Sequence, residues 1–115
     1  MRALNITQPN RQSSLPSLGI LTNVVELTYY EMIYIHHQIK EHAKIELRRN
    51  FNHAFDRNAI EVYFNGYKLG YISNKVNGII AKQMDQGKNV VAKVRGLKKK
   101  KHTLLSGLDI VVMMM

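Results

Sequence analysis

Two runs rich in β-branched and aromatic residues, Ala59–Phe64 and Tyr67–Ile72, are separated by nothing but Asn65-Gly66. Two residues can join antiparallel strands only through a primed turn. The type I′ form needs positive φ at both central positions, which asparagine and glycine tolerate. The dipeptide therefore predicts a tight hairpin with a defined register. Phe64 faces Tyr67, Val62 faces Leu69 and Ile60 faces Tyr71, so these six share one face and mark the core side. Glu61, Tyr63 and Lys68 fall on the other face. A slip of one residue would turn Ile60, Val62 and Phe64 into water, so burial enforces a single pairing.

The remaining segments are short, and most read as strands. Met1–Gly19 is polar around Pro9 and Pro16 and is expected to be a flexible tail, which leaves residues 20–115 as one domain. Ile20–Tyr30 and Lys44–Arg49 read as strands. Between them Met32, Ile35, Ile39 and Ala43 recur at helical spacing, which predicts a helix over Glu31–His42. Ser73 or Asn74 suits the N-cap of a second helix, with Val76, Ile79, Ile80 and Met84 as its apolar stripe and Gly87 as its stop. Val90–Val94 reads as a strand, Gly96–Lys101 as a basic loop, and Leu104–Met114 as a last strand interrupted at Ser106-Gly107. Met113–Met115 suits an interface strand or simply an unusual end. No βαβ rhythm appears. The expected fold is mainly β, a small antiparallel barrel carrying one or two short helices.

Composition removes several classes of function. The 115 residues include no cysteine, which excludes disulfides, thiolate metal sites and a thiol nucleophile. The longest wholly apolar run is Ile110–Met115, too short to span a bilayer, and the N-terminus lacks a signal-peptide core. An intracellular protein is the expectation. Seventeen Lys and Arg against eight Asp and Glu give a net charge of +9, and residues 51–115 carry eleven of those bases with only four acids. Gln86–His102 holds seven basic side chains and no acid. Such a run serves as a solvated loop, a contact for phosphates or a contact for an anionic membrane. His36, His37 and His42 are spaced one and five apart, which does not converge metal ligands on a helix face. No phosphate-binding glycine loop, nucleophile elbow or carboxylate pair appears, so neither catalysis nor a cofactor is expected.

The segment Arg49-Asn50-Phe51-Asn52-His53-Ala54-Phe55-Asp56-Arg57-Asn58-Ala59-Ile60, followed by Leu69-Gly70-Tyr71-Ile72, resembles the HIRAN domain. That family's signature is a strand ending in Arg, a turn of the form N-P-Y-D-x-N-A-I and a strand ending in L-G-Y-[IL]. The resemblance implies an OB-like β-barrel. It also implies capture of the 3′ end of single-stranded DNA, as in a fork-remodelling helicase-like transcription factor; a helicase or nuclease is the kind of protein such a module would serve. By position, Asp56 would accept a hydrogen bond from the 3′-hydroxyl, although an aspartate there also closes an Asx turn. Phe55 and Tyr29 would stack on bases, while Phe55 also suits a core aromatic. Tyr71 matches a phosphate-contacting position, although the hairpin register turns it inward. Gly70 suits a close backbone approach within the barrel.

The sequence departs from the family at several points. His53 and Ala54 replace the asparagine and proline before the turn aromatic, which predicts a looser turn. Thr28 and Asn74 replace basic residues. Phosphate contacts are therefore expected to move to Arg49, Lys75 and the run Lys98, Lys99, Lys100 and Lys101. The resulting expectation is a non-catalytic module for single-stranded DNA ends in repair or replication-fork processing. The alternatives are sequence-tolerant binding of single-stranded RNA or DNA through the basic loop, and a protein-interaction module whose charge aids solubility.

Overall fold

The computed structural model describes residues 18–27, 34–99 and 105–114. Among the described residues the main elements follow in the order β1 (Leu18–Val25), β2 (Lys44–Arg49), β3 (Ile60–Phe64), β4 (Tyr67–Ile72), α1 (Asn77–Asp85), β5 (Val90–Lys99) and β6 (Leu105–Met114). They close into an antiparallel barrel in the order β1-β4-β3-β2-β5-β6, with β6 returning to β1. Alternate residues point inward. Ile60, Val62, Leu69, Ile80, Ile110 and Val112 are fully buried in one continuous core.

The Asn65-Gly66 turn forms as expected, with φ of 49° and 83°. Phe64 pairs with Tyr67 and Tyr63 with Lys68, but the ladder then shifts, so that Val62 pairs with Gly70 and Glu61 with Tyr71. Leu69 is thus an extra residue, a β-bulge. The bulge overturns the uniform register read from the turn. Val62 does not face Leu69, and Ile60 does not face Tyr71. Beyond the bulge the parity of β4 reverses, so Tyr71 joins Glu61 and Lys68 on the outer face. Gly70 is fixed by crowding: a Cβ there would run into the Val25 carbonyl and stand 2.9 Å from Val24 Cγ1.

Other boundaries also shift. β1 begins at Leu18, earlier than expected, and ends at Val25; the rest of the expected tail, residues 1–17, lies outside the described residues. The helix expected to reach His42 ends in a 3₁₀ turn, His36–Gln38, because Ile39 is already extended. Ile35 and Ile39 are buried core anchors; His42 N–H donates to the Val94 carbonyl of β5, the Ala43 carbonyl accepts from Val94 N–H, and Ala43 N–H closes a turn on the Lys40 carbonyl. Residues 34–38 are helical as expected, and residues 31–33 lie outside the described residues.

Helix α1 starts at Asn77, with Val76 rather than Ser73 or Asn74 at the N-cap; Ser73 Oγ caps only the preceding turn through Lys75 N–H. Its inward face is Asn77, Ile80, Ala81 and Met84, which leaves Ile79 exposed. Gly87 ends the helix at φ 77°, with its N–H on Met84 and that of Lys88 on Gln83, a Schellman motif. Gly96–Lys99 continues β5 rather than opening a loop. The interruption expected at Ser106-Gly107 is a bulge, since Lys98 pairs with Gly107 and Lys99 with Leu105. Met114 is buried in the barrel.

Candidate nucleic-acid interface

The loop from Asn50 to Ala59 joins β2 to β3, and its own polar side chains fold it. Asn50 N–H donates to the Ala59 carbonyl at 3.0 Å and closes the base. Asn50 Oδ1 accepts from Asn52 N–H at 3.0 Å. His53 Nδ1 accepts from the N–H groups of both Phe55 and Asp56 at 3.1 Å. An imidazole nitrogen thus supplies the acceptor that a turn asparagine would offer, and it holds the turn despite the missing proline. Asp56 Oδ1 accepts from Asn58 N–H at 2.9 Å, and Oδ2 accepts from Asn77 Nδ2 of α1 at 2.8 Å. The Asx turn is therefore present. An ionised carboxylate has about four acceptor sites, so two remain.

Arg49 lies beneath this loop. Its guanidinium makes a two-point ion pair with Asp85 of α1 at 2.9 and 3.3 Å, and donates to the carbonyls of Ala59 and Arg57 at 2.7 and 3.1 Å. Its side chain is only 9 % exposed. These bonds make it a clamp joining loop to helix, a different duty from the phosphate contact expected of it. Phe51 covers the same guanidinium, 4.5 Å from ring centroid to Cζ.

Beside the loop a cleft of about 640 Å³ opens, lined by Val25 and Glu26 of the β1 end, His53, Phe55, Asp56, Ala59, Tyr71, Ile72, Ser73 and Asn74. Five residues singled out from the sequence (His53, Phe55, Asp56, Tyr71 and Asn74) meet there. Phe55 is 95 % exposed, which removes the reading of it as a core aromatic. The His53 ring stands edge-on to Tyr71, with centroids 5.4 Å apart, and to Phe55 at 6.4 Å. Tyr71 reaches the cleft only because the Leu69 bulge turns it outward.

Lys75 is exposed just after Asn74. Lys98 is exposed on β5, opposite Gly107. β1 pairs with β6 from Leu18 and Met114 to Asn23 and Asp109, and Val24 and Val25 then pair with Ile72 and Tyr71 of β4. Lys98 lies on β5, two strands round the barrel from β1. Tyr29, Thr28, Lys100 and Lys101 lie outside the described residues, and of Lys99 only the backbone is described.

Sequence reasoning missed Glu26, which adds a second carboxylate to the cleft, and Lys68. Lys68 Nζ donates to Tyr71 Oη at 2.8 Å and to Glu61 Oε2 at 3.1 Å, and lies 4.3 Å from the Tyr71 ring centroid. Burial alone would lower the Lys68 pKa, but the hydrogen bonds to Tyr71 and Glu61 outweigh it and the net shift is upward. Tyr63 is raised as well, by burial first and then by its bond to Glu61. Lysine and tyrosine three apart on a regular strand face opposite ways, so only the bulge could have signalled this pair. Among the described residues no three His, Asp or Glu side chains gather as metal ligands, and no helix is long and apolar enough to cross a membrane.

Comparison with known proteins adds a family and a fold. The HIRAN domain family model matches residues 20–113. The crystal structure of the HIRAN domain of human HLTF superposes with a TM-score of 0.65 at 21 % identity, covering 84 % of this chain and 74 % of that one. A crystal structure of a protein from Lactobacillus plantarum gives 0.66 at 24 % identity, covering 85 % and 98 %. At these identities the likeness is one of fold. No curated protein sequence matches the chain.

Proposed function

Because the chain belongs to the HIRAN family, we propose that it is a non-catalytic module that binds single-stranded DNA and recognises a free 3′-hydroxyl end. The reading rests chiefly on one observation: a fully exposed aromatic, Phe55, and an aspartate with spare acceptor sites, Asp56, share one cleft with His53, Tyr71 and Asn74. An exposed ring offers a stacking face to any base. A carboxylate beside it accepts a hydroxyl hydrogen bond and repels a terminal phosphate. Glu26 on the same wall strengthens that discrimination. Lys75, next to the cleft residue Asn74, and Lys98 on β5 supply charge for the strand leading in. Tyr29, Lys99, Lys100 and Lys101 join them as proposed contacts on the family pattern. The setting that suits such a module is intracellular DNA repair or fork processing, beside a helicase or nuclease that works at strand ends.

The test is a titration with oligonucleotides of one sequence ending in 3′-hydroxyl or 3′-phosphate. The hydroxyl end should bind more tightly, and affinity should fall with salt at a log–log slope of about −3 for about four neutralised phosphates. Equal affinity for both ends refutes end recognition. The second reading, sequence-tolerant binding through the basic run, is favoured by the exposure of Lys98 on β5. It would show as binding that survives Asp56→Ala and Phe55→Ala but not replacement of Lys98–Lys101 by alanine.

A further inference from the structure

Two tyrosines stand on the outer face of β3 and β4, and their hydroxyl protons go to different places. Tyr63 Oη donates to Glu61 Oε1 at 3.1 Å, so its proton is spent within the protein. Tyr71 Oη takes part in a 2.8 Å bond with Lys68 Nζ. An ammonium has donors only, so the phenol oxygen must be the acceptor there. The Tyr71 O–H proton is therefore directed elsewhere, and among the described residues none accepts it. Tyr71 lines the cleft.

Glu61 holds the lysine in place. Its carboxylate accepts from Lys68 at 3.1 Å and also from Asn50 and Tyr63. The ammonium is consequently a fixed, partly screened cation behind the phenol, with the Leu69 bulge bringing both to one face. We infer that Lys68 is a positioning residue for Tyr71: it occupies the phenol oxygen as acceptor, aims the O–H into the cleft and so makes Tyr71 a hydrogen-bond donor for a phosphodiester oxygen near the strand end. This builds on the proposed strand-end binding and names the group that would offset the missing basic side chain at Asn74. Lys68 itself does not touch the nucleic acid.

A double-mutant cycle on the full chain tests this, using fluorescence anisotropy with a 3′-hydroxyl oligonucleotide. Lys68→Met and Tyr71→Phe should each weaken binding about tenfold, the scale of one hydrogen bond to a charged group. The double variant should also lose about tenfold rather than a hundredfold. Lys68→Arg should recover most of the loss. The salt slope of Lys68→Met should match wild type, since a charge paired to Glu61 releases no counterion; a direct phosphate contact would reduce it by about 0.7. A neutral methylphosphonate at the last linkage should weaken wild type but cause no further loss in Tyr71→Phe.

Multiplying losses in the cycle, a changed salt slope, or equal methylphosphonate losses in wild type and Tyr71→Phe would each overturn the positioning role. If Lys68→Met unfolds because Glu61 is orphaned, Glu61→Gln combined with Lys68→Met removes both charges and carries the same cycle. Wild-type protein that binds no single strand refutes the strand-end reading itself. Wild type that binds while Lys68→Met binds equally refutes only the inference.

Discussion

Truncation of Phe55 separates the proposed function from the fold more cleanly than any other change. With 95 % of the residue exposed, the ring covers almost nothing in the free protein. Burying a phenylalanine side chain is worth about 1.5–3 kcal/mol, so at this exposure its contribution to folding is on the order of 0.1 kcal/mol. The edge contact to His53, at 6.4 Å between centroids, is the only other term, and solvent screens it. The loop's hydrogen bonds use the Phe55 backbone N–H, which alanine retains. Phe55→Ala should therefore shift stability by less than about 0.5 kcal/mol. Stacking on a base would by contrast be lost entirely, a term of about 1–3 kcal/mol, or roughly 5- to 150-fold in Kd. Urea unfolding measures the first quantity, and anisotropy with a 3′-hydroxyl oligonucleotide the second; Phe55→Trp should restore binding. Unchanged affinity in a folded Phe55→Ala protein would refute the stacking role.

The remaining predictions concern the frame around the cleft. Arg49→Met should destabilise the protein by about 2 kcal/mol in urea unfolding, because it removes two carbonyl bonds and a half-screened ion pair to Asp85 at once. Gly70→Ala should cost about 1–3 kcal/mol by driving a methyl group into the Val25 carbonyl, read out as a lower melting temperature. The raised pKa values of Lys68 and Tyr63 mean that the folded state holds both protons more tightly than the unfolded chain. The stability they provide is complete below their ordinary values of 10.5 and 10.0 and is lost as pH rises through the raised ones. Unfolding midpoints should hold up to the ordinary values and fall as pH rises through the raised ones, and Lys68→Met should flatten part of that fall.

Local chemistry made the hairpin turn legible, because Asn65-Gly66 satisfies a backbone demand that few residue pairs can meet. The barrel followed from short alternating segments with no crossover rhythm, and the cleft-forming loop from its resemblance to a known motif. Other features depended on tertiary pairing. The Leu69 bulge leaves no mark in hydrophobic pattern, since an apolar residue is buried on either side of the shift. Tyr71 was consequently read as inward when it belongs to the cleft. Helical spacing of Ile35 and Ile39 placed a helical turn correctly at residues 34–38 but overran its end, since Ile39 is extended and His42 and Ala43 bond across to Val94. Arg49 looked like a free cation because its partner, Asp85, lies thirty-six residues on.

The same distinction changes how the excess charge should be read. Several cations are already paired with acids: Arg49 with Asp85, Arg48 with Glu46, and Lys68 with Glu61. A guanidinium already making four bonds gains little from a phosphate, because it must first break those bonds and loosen the loop that shapes the site. A lysine better suited to a mobile polyanion is Lys75, exposed beside the cleft residue Asn74. A net charge of +9 therefore overstates the number of phosphates the site could neutralise. The antiparallel register then decides which surface lysines matter. It sets Lys98 opposite Gly107 of β6, two strands round the barrel from β1, whose Val25 lines the cleft, whereas Lys75 directly follows the cleft residue Asn74.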